Sequence, residues 1–288
     1  MDYAHPEYLI SVQELQQQLG QPRLKVFDTC VHLRPIPNGY QIDSGHADYL
    51  AAHIPGAGFI DVAEDWADTS TPLRFTLPEL NALRRAIGAS GISAQDQVVL
   101  YSSGHLMWAT RAWWLLYHAG HRNMRILNGN FTAWREAGYE IASGGTDIQP
   151  VTFTATESVA CFADTAAVEA GMEGRVCTLN ALSNSLYEGT GDFYYTRPGH
   201  IPGSTNLYYD SLLDNEHFRS AEEISVALER LGALQTDAVI TYCGGGIAAT
   251  LDAFACLLVG QENVQVYDGS MSEWVSDPAR PLRTGANP

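Results

Sequence analysis

The tetrapeptide His-Ile-Pro-Gly occurs twice, at His53–Gly56 and at His200–Gly203, an offset of 147 residues. Other landmarks recur in the same order and at nearly the same interval. Val98-Val99-Leu100-Tyr101 answers to Val239-Ile240-Thr241-Tyr242 at an offset of 141, and Leu127-Asn128-Gly129 with Trp134 answers to Tyr267-Asp268-Gly269 with Trp274 at 140. Each apolar tetrapeptide precedes a small-residue turn and an apolar helix that runs to a glycine, Gly120 in one copy and Gly260 in the other. A chain built this way must fold as two similar units. Its 288 residues are enough for two domains with a sizeable core.

Each copy reads as strand, His-Ile-Pro-Gly turn, helix, strand, helix, strand and short helix. In the first, Leu24–Phe27 is expected as a strand, and Thr76-Leu77-Pro78-Glu79 is expected to open a helix as a capping box, with Gly88 closing it. In the second, Ser220-Ala221-Glu222-Glu223 opens the equivalent helix and Gly232 stops it. Short apolar strands that alternate with amphipathic helices give an α/β fold, each unit a parallel sheet with helices on both faces. The stretch Ser143-Gly-Gly-Thr-Asp-Ile-Gln-Pro150 has a linker's composition. The expected domains are residues 1–142 and 158–288, joined by 143–157. Histidine before a proline turn is more often structural than catalytic, so His53 and His200 serve as markers of the repeat.

The copies differ where it matters. After the apolar strand, the first has Ser102 and the second has Cys243, followed by Gly244, Gly245, Gly246, Ile247 and Ala248. Both positions fall beyond the carboxyl end of a strand, where open α/β sheets bind ligands. The glycines let backbone N–H groups curl round whatever sits on the Cys243 sulfur, and the following helix aims its positive end there. A cysteine so placed can have its pKa lowered from about 8.5 into the range of roughly 3.5–7.5. The alternative is a buried structural cysteine beside a glycine turn.

Charge and cysteine usage exclude several classes. A formal net charge of −17, with only 16 Lys and Arg and no basic run, argues against a nucleic-acid partner. No apolar stretch is long enough to span a bilayer, and the first twenty residues lack a basic region followed by an apolar core. Five scattered cysteines without a Cys-x-x-Cys pair fit reduced thiols better than disulfides or a zinc site. The expectation is a cytoplasmic monomer with no metal and no cofactor.

Taken together, these residues resemble the two-domain rhodanese-type sulfurtransferases, which include thiosulfate and 3-mercaptopyruvate sulfurtransferases. The resemblance runs from Leu24 to about Leu282. It rests on both His-Ile-Pro-Gly turns, Thr71-Pro72-Leu73 with Thr76-Leu77-Pro78, Arg111-Ala112-Trp113-Trp114, Asp268-Gly269 with Trp274, and the Cys243 loop. It implies tandem rhodanese-like domains in which Cys243 carries sulfur as a persulfide and the residues Gly244 to Ala248 cradle it. A small anionic donor would load the cysteine, and a thiol or cyanide would unload it, in two half-reactions.

The loop departs from the thiosulfate enzymes, which place basic residues where Gly244 and Gly245 stand. It is small and neutral, as in mercaptopyruvate enzymes, yet Gly245 lacks their hydroxyl. The family's Asp-Ala-Arg-Ser appears here as Asn180-Ala181-Leu182-Ser183, so the arginine that clamps the donor anion is missing. An unpaired carboxylate or sulfonate in a cleft is costly, so another cation is expected. Arg74 is the first candidate, Arg197 the second and His32 the third. Asp43 and His53 are not assigned as a relay. A related cysteine-loop fold serves phosphatases through Cys-x5-Arg, but the sixth residue after Cys243 is Ala249. The alternatives are a sulfur-relay or redox-sensing module that takes sulfur from a partner protein, and a structural pseudo-enzyme.

Overall fold

The computed structural model describes residues 2–288 apart from 37–38, 156, 173, 175 and 193–195. The first half contributes strands β1 (Leu9–Ile10), β2 (Leu24–Asp28), β3 (Val31–Ile36), β4 (Gly39–Ser44), β5 (Gly58–Phe59), β6 (Gln97–Tyr101) and β7 (Met124–Leu127). Its helices are α1 (Val12–Gln18), α2 (His46–Ala51), α3 (Leu80–Ala89), α4 (Met107–Ala119) and α5 (Asn130–Glu136). The second half contributes β8 (Phe162–Ala163), β9 (Val176–Asn180), β10 (Thr205–Asn206), β11 (Leu213–Asp214), β12 (His217–Phe218), β13 (Ala238–Tyr242) and β14 (Val264–Tyr267). With them come α6 (Thr165–Gly171), α7 (Asn184–Glu188), α8 (Ala221–Arg230), α9 (Ala248–Leu258) and α10 (Ser270–Trp274).

The duplication seen in the sequence is a duplication of topology. One sheet has the order β1-β7-β6-β2-β5 and the other β8-β14-β13-β9-β10. Strand pairing within both is parallel. The central pairs share a register: β2 lies against β6 from Leu24↔Gln97 to Asp28↔Tyr101, and β9 against β13 from Val176↔Ala238 to Asn180↔Tyr242. Their near-continuous apolar, β-branched character follows from helices covering both faces.

The His-Ile-Pro-Gly turns are structural in both halves. His53 Nδ1 lies 2.7 Å from the Tyr49 carbonyl and His200 Nδ1 lies 2.8 Å from that of Tyr187. Each ring stacks on the same tyrosine and is buried. The next residue's N–H then donates to the phenol that ends the central strand, Ile54 to Tyr101 and Ile201 to Tyr242. Ser220 and Glu223 form the expected capping box of α8, and Gly232 follows its end with a positive φ. The first copy differs. Glu79 itself caps α3 by accepting from the N–H groups of Asn81 and Ala82, and the helix runs through Gly88 to Ala89. Thr76 instead donates its hydroxyl to the Leu73 carbonyl, which folds the preceding loop.

Residues 143–157 hold no helix or strand among those described and run along the first half, where Thr146 bonds Tyr49 and Ala57 and Val151 bonds Gly88. The halves meet through α4 and α9. Each residue of α9 is buried, as expected of a helix that is apolar all round. Across this interface the hydroxyls of Thr110 and Thr250 are 2.8 Å apart. Two further links are related by the repeat: Leu77 N–H donates to Asp268 at 2.7 Å, and Phe218 N–H donates to Asn128 at 2.9 Å. No helix among the described residues is long and apolar enough to cross a membrane.

Candidate active site

Strand β13 delivers Cys243 to the carboxyl edge of its sheet, and α9 begins five residues later at Ala248. The loop between them is pinned from below by α10 and the turn before it. Cys243 N–H donates to Ser270 Oγ at 3.0 Å, while Met271 N–H and Ser272 N–H donate to the carbonyls of Cys243 and Gly244. Ser272 Oγ adds a bond of 2.7 Å to the Gly244 carbonyl. The backbone N–H groups of Gly244, Gly245, Gly246 and Ile247 donate to no group among the described residues, which leaves four donors on the loop that follows Cys243.

The glycines are not equivalent. Gly246 has φ +77°, and a Cβ there would lie 2.5 Å from the Asp268 carbonyl oxygen, so the close approach of the two segments requires glycine. A Cβ on Gly245 would meet only Phe75 at 3.8 Å and the Arg74 carbonyl at 3.9 Å, which is ordinary contact. The steric demand sits at Gly246.

Arg111 on α4 holds the loop from the other half. Its side chain is 1% exposed, pairs with Asp268 at 2.7 Å, and donates to the carbonyls of Gly246 and Phe75 at 3.3 and 2.5 Å. Ser270 and Arg111 were not singled out as site residues from the sequence. The available signal was the repeat: Asn130, the counterpart of Ser270, also has positive φ and accepts from Ser102 N–H, the counterpart of the Cys243 amide.

Cys243 lies at the wall of a cavity of about 620 Å³ between the halves. The first half supplies Arg74 and Phe75 from the loop before α3 and an antiparallel hairpin, β3–β4, in which Leu33 pairs with Ile42 and Pro35 with Tyr40. The second half supplies Leu182, Leu186, Tyr208 and Tyr209. Leu182 therefore faces the cavity from the position where the resemblance expects a cation. Arg74 is exposed, has no ion pair or hydrogen bond from its side chain among the described residues, and is the one charged residue in the described lining.

The other two cation candidates lie elsewhere. Arg197 donates to the carbonyls of Asp277 and Arg280 at 2.8 and 3.0 Å and so fastens the C-terminal segment. His32 faces the opposite side of the hairpin from Leu33, with Nε2 2.6 Å from Asp48 and 3.9 Å from the Cys30 sulfur. Cys30, His32 and Asp48 place one donor atom each within 4.8 Å of one another and are the residues that could hold a metal ion among those described. The same ring nitrogen faces both neighbours, so the three do not form a proton relay, which needs both nitrogens. Burial raises the thiols of Cys30, Cys177 and Cys256, and pushes that of Cys161 up to about 12.

Two parallel-sheet repeats with a cysteine loop at their junction make this a tandem α/β protein with a candidate nucleophile in its second half. The rhodanese-like domain family matches residues 11–137 and 187–277. A probable 3-mercaptopyruvate sulfurtransferase of Pseudomonas aeruginosa is 32% identical over 96% of this chain and 98% of its own length. The thiosulfate sulfurtransferase of Bos taurus is 32% identical over 79% of this chain and 78% of its own. Among solved structures, the 3-mercaptopyruvate sulfotransferase SseA of Escherichia coli superposes with a TM-score of 0.82 at 23% identity, over 91% of this chain and 98% of that one, a likeness of fold. The chain belongs to the rhodanese family. It is a two-domain sulfurtransferase.

Proposed function

We propose that Cys243 is the sulfur carrier and that the backbone from Gly244 to Ala248 stabilises its persulfide. The observation that supports this most directly is the loop itself: a cysteine whose own N–H is tied to Ser270, followed by four backbone donors with no acceptor among the described residues. Such donors favour an anion on the sulfur, first the thiolate and then the persulfide. The thiolate attacks the outer sulfur of thiosulfate, releasing sulfite, or the thiol sulfur of 3-mercaptopyruvate, whose C–S bond breaks to release the enolate of pyruvate; these are the named substrates of the relatives. A thiol or cyanide then removes the sulfur in a second half-reaction. Arg74 supplies the cation for the donor anion in place of the arginine missing at Leu182. The first half, with Ser102 at the matching position, lends walls to the site and no nucleophile. The five free cysteines of the chain suit work in the reducing cytoplasm.

Intact mass after incubation with either donor tests this reading. The wild-type chain gains one sulfur atom, while Cys243→Ser gains none and keeps its fold. A sulfur gain in Cys243→Ser would assign the carrier to another cysteine.

A further inference from the structure

We infer that the sulfur acceptor is a small organic thiol with an apolar or aromatic body, held against the β3–β4 hairpin while its sulfur faces Cys243. This rests on the proposed role of Cys243 and adds the class of the second substrate. Three observations carry it. The cavity, at about 620 Å³, is far larger than a thiosulfate or cyanide ion needs. Its surplus wall is apolar: the hairpin turns Leu33, Ile42 and Tyr40 toward it, and Leu182 and Leu186 face them from the second half. At its mouth Ile36 and Tyr40 are 45% and 38% exposed, large apolar surface that a ligand lying there would cover.

Charge narrows the choice further. The described lining contains Arg74 and no carboxylate. Cysteine and glutathione carry an ammonium group as well as carboxylates, and this wall offers the ammonium no partner, so their burial is disfavoured. The donor anion has Arg74. Arg74 lies apart from this apolar wall, on the loop before α3, so a donor anion paired with it leaves the hairpin side of the cavity for a second molecule. The step that follows balances without an oxidant or reductant. The acceptor thiol gives its proton, through solvent, to the outer sulfur of the Cys243 persulfide anion, and as a thiolate it attacks that sulfur. The S–S bond breaks with its electron pair returning to Cys243 as thiolate, and the acceptor departs as R–S–S–H.

The test is discharge of the full-length protein after loading with thiosulfate and desalting, followed by rapid mixing and intact mass. The acceptors are cyanide, cysteine, glutathione, phenylmethanethiol and 4-methylbenzenethiol, and each rate is divided by that of the same acceptor with a small-molecule persulfide, which removes intrinsic nucleophilicity. The expected result is saturable discharge to the two apolar thiols, preferred by about tenfold or more over cysteine and glutathione. In Ile36→Asp and Tyr40→Ser, at partly exposed positions, that preference falls by a similar factor while thermal unfolding stays near wild type. Equal normalised rates across the panel, or a preference that survives in both variants, overturns the inference and leaves the Cys243 reading standing. Failure of the protein to gain sulfur from thiosulfate and from 3-mercaptopyruvate overturns both.

Discussion

Arg111 and Asp268 form an ion pair of 2.7 Å that joins the first half of the chain to the turn beneath the Cys243 loop. The guanidinium also holds the Gly246 carbonyl, and the carboxylate also holds Leu77 N–H, so each partner ties its own half to the other. Breaking a buried pair from one side leaves a charge without a partner, a loss of about 3–5 kcal/mol. Asp268→Ala is expected to lower stability toward that range in urea titration, and to slow persulfide formation because Arg111, which donates to the Gly246 carbonyl, loses the carboxylate that orients it. Arg111→Met leaves the Asp268 carboxylate with only Leu77 N–H and frees the Gly246 and Phe75 carbonyls, so it is expected to fall in the same range.

The two middle glycines of the loop should respond in opposite ways. Gly246→Ala forces a Cβ to 2.5 Å from the Asp268 carbonyl oxygen at a positive φ. It should cost about 2 kcal/mol or more, and activity with it. Gly245→Ser places its side chain in open contact with Phe75 and should leave stability within about 1 kcal/mol of wild type. Paired thermal melts and donor kinetics separate the two. Equal damage at both positions would mean that the Asp268 contact does not govern the loop.

Arg74→Ala is expected to raise KM for thiosulfate and 3-mercaptopyruvate by about tenfold or more, as loss of a charge-assisted hydrogen bond of about 1.5–3 kcal/mol implies. Discharge of the preformed persulfide to cyanide is the second measurement, since it isolates the half-reaction in which no donor is bound. Leu182→Arg should recover part of the loss, because position 182 faces the same cavity from the opposite half. A double-mutant cycle gives the coupling. Unchanged donor kinetics in Arg74→Ala would remove it as the clamp.

Burial lifts the Asp28 carboxyl from 3.8 to about 6, although one of its oxygens accepts from Cys30 and Ser103 N–H. The folded chain then keeps a proton that the unfolded chain has released, so stability falls as pH rises between about 4 and 6, by up to about 3 kcal/mol. Asp28→Asn keeps an acceptor for the two N–H groups and loses the titration. Its unfolding free energy should change less over that interval than the wild type's. Asp252, fully buried on α9 with no hydrogen-bond partner for either oxygen among the described residues, is shifted in the same direction, so some slope remains.

The repeat made the architecture legible. Landmarks spaced by 140 to 147 residues fixed the element order of both halves, and the contrast of Ser102 with Cys243 marked where chemistry sits. What stayed hidden depends on contacts distant in sequence. The β3–β4 hairpin was not expected, because prolines at 35 and 37 interrupt its alternation, and strand pairing there is local to one copy. Ser270 reads as an ordinary helix start until its hydroxyl is seen under the Cys243 amide. Arg197 and His32 are cations by composition, but backbone carbonyls at 277 and 280 claim the first and Asp48 claims the second. The cap of α3 shifted from Thr76 to Glu79 because Pro78 keeps the residue before it extended.

Thr110 and Thr250 are counterparts in the repeat, 140 residues apart, and each is the other's hydrogen-bond partner. A residue meets its own counterpart only on a two-fold axis, so the axis passes between these two hydroxyls. The chain thus has the plan of a closed symmetric dimer whose protomers have been joined end to end. Joining makes their association intramolecular, and a cavity that takes Arg74 and Phe75 from one side and Cys243 from the other stays assembled at any dilution. It also releases the two equivalent positions flanking the axis from having to match. Arg111 with Asp268 stands at one and their counterparts Leu251 and Asn128 at the other, so one cleft can be tuned for sulfur while its twin is left to hold the fold.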